Sequence, residues 1–369
     1  MPDTMKAVRF HGKEDLRFED IPNPSLPPTH IRLTPAYNGI CGTDLHEYSG
    51  GPNLCPTTPH PITRETVPLT FGHEFSGIVT EVGPAVPSDA NIKPGDRVCV
   101  QPIIYDGTCG ACKEGYINCC YSNGFVGLSG WGGGLAESCF VPASCVVKLP
   151  DNVSLRAGAL IEPLAVGWHA VNMSEFEKLD VKNVGVLVTG GGPIGLAVIQ
   201  ALKARGAGKV IVSEISGKRK EFAKDFGADY VLDPTKDDVV ARCKELCEGQ
   251  GVHVAFDCAG VKPGLDAAIL ATRARGLIVN IAVWEKPVLI NVNDLVFKER
   301  KYMGIATYQA GDFQAVLSAI SEGRMKPEGM ITKEISLDKV LKEGFESLLQ
   351  DKGNLVKVMV QVRPPKDES

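Results

Sequence analysis

A short glycine-rich segment constrains this chain more than any other feature. The segment, Gly190-Gly-Gly-Pro-Ile-Gly195, follows the apolar run Val184–Thr189 and precedes a stretch of helical periodicity that ends at Arg205. Glycines at its first, third and sixth positions allow a tight turn, close approach of the backbone to a pyrophosphate, and close packing of helix on strand. The N–H groups that begin the helix would face the phosphates. The predicted cofactor contacts of this turn are Gly190, Gly192, Pro193, Ile194 and Gly195.

The acid that ends the next predicted strand bears on which dinucleotide binds. The strand Lys209–Glu214 ends 19 residues after Gly195. An acid at this point accepts hydrogen bonds from the adenosine ribose and repels a 2′-phosphate, which favours NAD over NADP. The basic residues at 218–220 would serve a 2′-phosphate if Glu214 turned away. We therefore expect NAD, with Glu214 and Arg219 at its adenosine end; a purely structural glycine turn in another α/β protein is the alternative.

The pattern of the chain changes at about residue 156. Before it, short β-type runs such as Ile31–Tyr37 are separated by Gly/Pro turns, which is typical of an irregular all-β domain. From there to about residue 305, apolar strands such as Val252–Cys258 and Leu277–Ile281 alternate with helical segments, which indicates a doubly wound parallel sheet. The rest is mixed, with a helix predicted over Phe313–Glu322, a strand over Leu355–Val362 and a disordered tail over Arg363–Ser369. The sequence thus predicts an α/β plus β protein.

Length, charge and cysteine content narrow the class of protein. A chain of 369 residues is long enough for about two domains. The net charge is -5 and no Lys/Arg run dominates any stretch, which argues against nucleic acid and membranes as partners. We see no secretory signal, so we expect a cytoplasmic protein in a reducing environment. In that setting the 12 cysteines indicate metal rather than disulfides.

Two short motifs in the first domain carry candidate ligands for a catalytic metal. They read GICGTDLH at 39–46 and GHE at 72–74. Cys41, His73 and an acid would give zinc one thiolate, one imidazole and one carboxylate, which is the ligand mix of a catalytic site with an open fourth position. Taken singly, Cys41 reads as a small buried hydrophobe and His73 as a hydrogen-bonded core residue. Their occurrence together in a chain with a dinucleotide fold favours zinc.

The third ligand has two candidates. Glu74 directly follows His73, and Glu162 interrupts the apolar strip Ala157–Ala165 at the junction between the two predicted domains. Burying an unpaired charge is expensive, so a carboxylate in that strip calls for a functional reason. Either acid could bind zinc directly, or one could bind it through water or exchange with the other.

A second group of metal-ligand residues lies farther along the first domain. Two of its cysteines are on a C-x-x-C turn, and a third follows in the next loop, a spacing that suits tetrahedral zinc. The first ligand position is an aspartate, which binds zinc less softly than a thiolate. Reduced thiols without metal, or disulfides, are the alternatives. The candidate structural ligands are Asp106, Cys109, Cys112 and Cys120.

These motifs together make the chain resemble the zinc-containing medium-chain dehydrogenases/reductases. Within that superfamily it is most similar to the 2,3-butanediol dehydrogenases and next to the sorbitol-type polyol dehydrogenases. The features that carry the narrower resemblance are Asp44-Leu-His-Glu-Tyr48 followed by Gly50-Gly-Pro52, the long Pro-rich loop before Gly72, and the run from Ile104 to Cys112. Asp106 departs from the four-cysteine lobe of the superfamily, which puts the structural zinc in question.

The resemblance implies a GroES-like catalytic domain built from residues 1–157 and 308–369, with a Rossmann NAD-binding domain inserted at 158–307. It also implies catalytic zinc on Cys41, His73 and an acid, here Glu162 and possibly Glu74, and a proton relay through Thr43 and His46. One of these two glutamates could in addition hold the second hydroxyl of a diol. Proteins of this fold are commonly homo-oligomers, as dimers or tetramers.

The function implied is hydride transfer between a secondary alcohol and NAD, with 2,3-butanediol of the (R,R) type and its hydroxyketone as substrates. Sorbitol or another polyol is the alternative substrate. Two rival functions are a zinc-free NADPH reductase of the quinone or enoyl type and a protein that binds NAD without turnover. The first would not need the zinc ligands, and the Thr43/His46 pair argues against the second.

Overall fold

The chain divides into two compact units, each with its own sheet and core. A computed structural model describes residues 3–351 and 353–365. The first unit contains Met1–Glu162, Gln309–Ser321 and Pro327–Ser369, and the second contains Pro163–Tyr308 and Glu322–Lys326. Residues 366–369 of the tail that was predicted to be disordered lie outside the described residues.

The described strands and helices follow one another along the chain. The strands are β1 (Thr4–Gly12), β2 (Asp15–Pro22), β3 (His30–Gly39), β4 (Leu69–Thr70), β5 (Glu74–Val82), β6 (Arg97–Val100), β7 (Ile103–Ile104), β8 (Gly124–Phe125), β9 (Cys139–Pro142), β10 (Val146–Lys148), β11 (Gly185–Thr189), β12 (Lys209–Ser213), β13 (Tyr230–Leu232), β14 (Val252–Asp257), β15 (Thr272–Asn280), β16 (Lys301–Gly304), β17 (Ile331–Ser336) and β18 (Lys357–Gln361). The α-helices are α1 (Gly42–Gly50), α2 (Gly110–Lys113), α3 (Leu155–Ala159), α4 (Ile161–Met173), α5 (Pro193–Ala204), α6 (Gly217–Asp225), α7 (Val239–Leu246), α8 (Lys262–Ala271), α9 (Asn293–Val296), α10 (Ala310–Ser321) and α11 (Ser347–Gln350), and Val340–Glu346 forms a π-helix.

The main sheet of the first unit brings distant parts of the chain to one place. Within the described residues its order is β10-β6-β5-β3-β18-β17, and β9 also pairs with β3. Gly39, the last residue of β3, lies opposite both Glu74 in β5 and Met359 in β18. The end of β3 and the starts of β5 and β18 therefore meet, and the candidate catalytic ligands follow or begin these strands.

A helix stands in the first unit where an irregular all-β domain was predicted. Helix α1 begins directly after Cys41, whose backbone N–H donates to Asp44 Oδ2 at 2.9 Å. That bond satisfies one of the donors that a helix start leaves without a partner. The all-β prediction for this unit was thus incomplete, because the helix is short and its residues carry little apolar periodicity. The predicted Pro-rich loop at 50–68 forms neither helix nor strand after Gly50.

The second unit is a doubly wound parallel sheet, which confirms the predicted fold class. Its order is β13-β12-β11-β14-β15-β16, and all its pairings are parallel. From β11 the strands are added toward one edge, ending at β13, and from β14 they are added toward the other edge, ending at β16. Ligands bind at such switch points in open α/β sheets. The glycine segment lies just after β11, at this switch point.

One edge strand of that sheet, β16, was not predicted. Strand β16 reads Lys-Tyr-Met-Gly and is largely exposed, so it lacks the apolar run by which its neighbours were found. The neighbouring strand β15 begins at Thr272 rather than at Leu277, because it extends over Arg273 and Arg275, which interrupt the apolar pattern. No helix among the described residues is long and apolar enough to cross a membrane.

Candidate active site and cofactor site

The first unit gathers three of the predicted zinc ligands. One ligand atom each from Cys41, His73 and Glu74 lies within 4.8 Å of the other two. His73 is 4% exposed and Glu74 is fully buried. Glu162 is not a member of this group among the described residues, although it is buried as well. The geometry thus favours Glu74 over Glu162 as the neighbour of the thiolate and imidazole.

Asp44 contacts two of these residues, Cys41 and His73, and it was not among the predicted site residues. Its Oδ2 accepts the backbone N–H of Cys41, and its Oδ1 lies 3.2 Å from His73 Nδ1. A carboxylate on one ring nitrogen of a metal-binding histidine fixes the tautomer and leaves the other nitrogen for the metal. Burial lowers the pKa of His73, but the charges of Asp44 and Cys41 outweigh it and hold that pKa well above its usual range. The signal available in the sequence was an acid three residues after a candidate ligand.

Lys357 is the second residue that sequence reasoning missed. Its Nζ donates to Glu74 Oε2 at 2.6 Å and to Oε1 at 2.8 Å, and also to the carbonyl of Ile40 at 3.2 Å. Burial by itself would lower the pKa of Lys357, but the charges of Glu74, Cys41 and Glu162 raise it by more than burial lowers it. The pKa therefore lies above its usual value. Breaking such a buried pair by removing one partner costs ~3–5 kcal/mol. A lysine inside the predicted apolar strand Leu355–Val362 was the signal.

The predicted proton relay lies on α1. Thr43 Oγ1 is 3.6 Å from Cys41 Sγ, and His46 follows three residues later on the same helix. Residues three apart on a helix are neighbours on one face. Both side chains are partly exposed, so this face of α1 connects the buried ligand group with residues that reach solvent.

The residues of this group fit a zinc ion by their chemistry. Four acidic side chains, from Cys41, Asp44, Glu74 and Glu162, are gathered in or beside a buried group whose neighbouring cation is Lys357. Buried charges of one sign need a compensating cation, and thiolate, imidazole and carboxylate together are a zinc-type donor set.

The second predicted ligand group is also brought together. One atom each from Asp106, Cys109, Cys112 and Cys120 lies within 4.8 Å of the others. Helix α2 carries Cys112 one turn after Cys109, which caps that helix. The backbone N–H groups of Asp106 and Ser122 donate to Cys120 Sγ at 3.3 and 3.4 Å. Such N–H donors stabilise a thiolate, which is the form that binds metal.

Asp106 uses its two oxygens differently. Oδ1 accepts the backbone N–H groups of Thr108 and Cys109 at 2.5 and 2.8 Å, while Oδ2 lies 3.4 Å from Cys120 Sγ. The two N–H donors lower the pKa of Asp106 to about 2, so the carboxylate is charged near neutral pH. Burial, with the thiols of Cys109 and Cys120 beside it, raises the pKa of Cys112 to about 12. A cation is what would allow these thiols to ionise together, so the donor set fits a four-coordinate zinc.

The glycine turn has the predicted form. Gly190 adopts φ +89°, and α5 begins at Pro193 with Gly192 as its N-cap. A Cβ on Gly195 would clash with the carbonyl oxygen of Gly190. The turn therefore requires glycine at both positions, and the N–H groups at the start of α5, which includes Ile194, are available to an anion.

Glu214 and Arg219 lie beside this turn. Glu214 Oε2 accepts the N–H of Gly191 at 2.6 Å, and its Oε1 accepts the N–H of Ser216 at 2.8 Å. The guanidinium of Arg219 lies next to Gly192. Burial lowers the pKa of Arg219, and the charge of Glu214 opposes that shift. The structure thus brings both predicted adenosine-end residues to the glycine turn.

Asp257, the last residue of β14, supports the same turn and was not singled out from the sequence. It is fully buried and accepts the hydroxyl of Thr189 at 2.9 Å and the N–H of Ala259 at 3.2 Å. Ala259 would be the neighbour of any side chain at Gly190. An acid at the carboxyl end of the predicted strand Val252–Cys258 was the available signal.

Comparison with known proteins gives the family. Residues 27–151 match the alcohol dehydrogenase GroES-like domain, and residues 193–322 match the zinc-binding dehydrogenase domain. The (R,R)-butanediol dehydrogenase of Bacillus subtilis (strain 168) is 44% identical over 359 residues, which are 97% of this chain and 99% of that protein. The crystal structure of 2R,3R-butanediol dehydrogenase from Bacillus subtilis superposes with a TM-score of 0.89 at 44% identity, covering 97% of this chain and 99% of that one.

A second solved structure is that of a zinc-binding dehydrogenase from Sinorhizobium meliloti 1021 bound to NADP. It is 30% identical, has a TM-score of 0.85, and the match covers 98% of this chain and 100% of that one. The matched domains, the near full-length relatives and the two zinc-type ligand groups agree with one another. The chain therefore belongs to the zinc-dependent, NAD-linked alcohol dehydrogenases of the medium-chain dehydrogenase/reductase family, with a GroES-like domain and a Rossmann domain.

Proposed function

We propose that this enzyme oxidises (R,R)-2,3-butanediol with NAD and reduces the matching hydroxyketone in the reverse direction. The observation that carries the proposal is the buried group of Cys41, His73 and Glu74 beside the helix that bears Thr43 and His46. The specific diol follows from the 44% identity with the Bacillus subtilis enzyme over nearly the whole of both chains.

The zinc ligands in this proposal are Cys41, His73 and one glutamate. Bound zinc supplies a Lewis acid that makes an alcohol hydroxyl easier to ionise. Asp44 holds the His73 ring so that its other nitrogen is free to bind. We propose Glu74 as the third ligand because it lies in the group; Glu162 remains the alternative.

Proton movement falls to residues of α1. Thr43 takes the proton from a substrate hydroxyl and passes it toward His46, whose partly exposed ring releases it to solvent. The carboxylate that does not bind metal is suited to hold the second hydroxyl of a diol, and Lys357 keeps Glu74 in one orientation. We assign the catalytic roles to Thr43 and His46 in proton movement and to Glu74 as a ligand of the zinc, with Glu162 then the carboxylate placed for the second hydroxyl.

The hydride acceptor is held by the second unit. NAD supplies a nicotinamide that takes the hydride. The turn at 190–195 binds the pyrophosphate, and Glu214 with Arg219 binds the adenosine end. In domain terms, we assign catalysis to residues 1–157 and 308–369 and NAD binding to residues 158–307. The second ligand group, with Asp106, holds a structural zinc.

The test is NAD reduction by the purified enzyme with separate 2,3-butanediol stereoisomers, compared with sorbitol and a primary alcohol. We expect the (R,R) isomer to be turned over fastest. A preference for sorbitol would replace the diol by a polyol while keeping the zinc chemistry, and no turnover with any alcohol would contradict the proposal.

Two matched variants separate the roles of the cysteines. Cys41→Ala should lose the catalytic zinc by metal analysis and lose turnover, while NADH still binds by fluorescence titration. Cys99→Ala, at a buried cysteine in β6, should keep both. Turnover retained in Cys41→Ala would overturn the zinc assignment.

We also propose that the enzyme works as a homo-oligomer. Strand β16 ends the parallel sheet, and its outer edge presents backbone groups that another strand could pair with. Large apolar side chains are exposed in the preceding segment and on this strand, which is unusual for a surface that stays in water. They are Val283, Leu289, Val292, Val296, Phe297 and Tyr302.

The twelve cysteines bear on location. None of them is in a disulfide. Four lie in the two ligand groups, Cys119 lies next to one of these groups, and Cys99 in β6 and Cys243 in α7 are fully buried. Thiols in such number persist in a reducing compartment. We therefore propose that the enzyme acts in the cytoplasm on small-molecule alcohols.

A further inference from the structure

In the proposed NAD site, Glu214 is the residue that favours NAD over NADP, because its charge repels a 2′-phosphate. The first turn of helix α6 contains three consecutive basic residues, Lys218, Arg219 and Lys220. Such cations beside the adenosine ribose are what an NADP-type coenzyme needs for its 2′-phosphate. The fold itself accepts that coenzyme, since the Sinorhizobium meliloti relative is bound to NADP. Whether the cations of α6 are available to a 2′-phosphate or already engaged by acids therefore bears on the preference for NAD.

Each of the two lysines is held by an acid. Lys218 Nζ lies 3.0 Å from Glu221 Oε2 one turn along the helix, and both side chains are well exposed. Lys220 Nζ lies 2.7 Å from Asp233 Oδ2, and here the exposed fractions are only 23% and 13%. The exposed pair is screened by water and opens easily, whereas the more buried pair is expected to persist.

Asp233 is itself fixed by the loop that follows β13. Its Oδ1 accepts the N–H of Thr235 at 3.0 Å and the hydroxyl of Thr235 at 2.6 Å. Its own N–H donates to Asp237 Oδ2 at 2.7 Å. The ion pair with Lys220, and then the bonds from Thr235, hold the pKa of Asp233 below its usual value. The carboxylate is therefore charged beside Lys220, and the bonds from Thr235 fix its orientation.

Asp233 also stands beside Glu214 at the carboxyl edge of the sheet. Strands β12 and β13 pair in parallel with Ser213 opposite Leu232. The residue after each strand is an acid, and the N–H of Glu214 donates to the carbonyl of Leu232 at 3.0 Å. Lys220 thus reaches the edge where the ribose of the coenzyme would lie, but it is turned onto a carboxylate there.

We propose that Asp233 is a second determinant of coenzyme specificity: by holding Lys220 it withholds from a 2′-phosphate the lysine that would otherwise bind it. Glu214 repels the phosphate, and Asp233 removes its cation. The inference rests on the proposed NAD site at the glycine turn and Glu214.

The test is the binding of two probes to the full-length protein by isothermal titration calorimetry. Adenosine 2′,5′-bisphosphate carries the 2′-phosphate, and adenosine 5′-monophosphate lacks it. We expect Asp233→Asn to bind the bisphosphate ~10-fold more tightly than the unchanged protein, since a new charge-assisted hydrogen bond to phosphate is worth that much. Its affinity for the monophosphate should stay within about twofold, because that probe does not reach Lys220.

A charge-balanced variant distinguishes release of Lys220 from a general change of charge. Asp233→Asn combined with Lys220→Met has the net charge of the unchanged protein and should return to its bisphosphate affinity. Glu245→Gln, which removes an equal charge from an exposed pair on α7, should leave both affinities unchanged. A gain that survives in the double variant, or a gain in the control, would overturn the proposal.

A third variant covers the case in which Asp233→Asn does not fold. Lys220→Met alone should leave bisphosphate affinity within about twofold, because Lys220 is already engaged. A loss of tenfold or more would mean that Lys220 already serves the phosphate, and the proposal would be wrong. Failure of the NAD site itself would be recognised separately, as absence of NADH binding to the unchanged protein.

Discussion

Asp44 shows how one side chain can couple two proposed ligands of a metal. It receives the backbone N–H of Cys41 and stands against the ring of His73, so the thiol-bearing backbone and the imidazole are oriented by the same carboxylate. Because Asp44 is fully buried, it cannot exchange these contacts for water. Its effect on metal binding therefore passes through the position of both ligands, and it is a positioning residue.

At this scale we predict that Asp44→Asn weakens zinc binding ~10–100-fold, the usual cost of losing such a partner. The amide keeps an acceptor for the Cys41 N–H but loses the charge that stabilises the ring. Zinc retention against a chelator series, read by atomic absorption, measures the effect. Asp89→Asn, at an exposed acid of the same unit, is the matched control and should not change retention. Equal zinc retention in Asp44→Asn and the control would refute this role.

The residues that the sequence identified at the catalytic group are those whose type and spacing carry zinc chemistry in themselves. Cys41, His73 and Glu74 fall in two short motifs and do meet in space. Lys357 lies 283 residues from Glu74, and only the pairing of β18 with β3 brings them together. Local spacing contains no information about such a contact, so the partner of Glu74 was beyond sequence reasoning.

Among the elements, the loop that carries Asp106 and three cysteines depends most on a cation. Asp106 Oδ1 already caps the turn that leads to α2, which leaves Oδ2 for metal. Between residues 105 and 123, the buried residues are Ala111, Asn118 and Cys120. With so little of the loop buried, a bound zinc would contribute directly to its folding.

We predict that Cys112→Ser reduces the zinc content from two ions per chain to one and lowers the thermal midpoint. Asp106→Cys, which supplies a softer ligand, should retain both ions and raise the midpoint or leave it unchanged. Cys119→Ser, at the exposed thiol next to Cys120, is the control and should behave as the unchanged protein. Metal analysis with differential scanning calorimetry checks all three. One zinc per chain in the unchanged protein would remove the metal from this loop.

Secondary structure was predictable where burial is two-sided and failed where it is not. The apolar runs of β11, β12 and β14 lie inside the parallel sheet and were found close to their bounds. Strand β16 is exposed at the edge, and α1 is a polar helix fixed by its capping contacts. The order of β16 comes from pairing with β15 and that of α1 from a local capping bond, so neither element shows an apolar pattern of its own.

For the whole molecule, the proposed homo-oligomer makes the outer edge of the parallel sheet an interface. We predict that Val296→Lys with Phe297→Glu converts the oligomer into a monomer, because it places two charges in the apolar surface that would be buried. Light scattering after size-exclusion chromatography measures the mass. Phe18→Glu, at an exposed aromatic of the first unit, should leave the mass unchanged. If the unchanged protein is already a monomer, or the double variant keeps its mass, the edge is not the interface.

The position of β18 has a consequence for how the protein is made. This strand lies between β3 and β17, and it carries the only lysine that neutralises Glu74 in the described residues. The ribosome synthesises β3 and β5 long before β18. Until β18 is made, β3 lacks that neighbour in the sheet and Glu74 lacks the positive charge of Lys357. All residues of the second unit have been synthesised by Lys326, before β18 emerges. The order of synthesis therefore allows the second unit to fold first. The group around Glu74 is completed only when β18 has been synthesised.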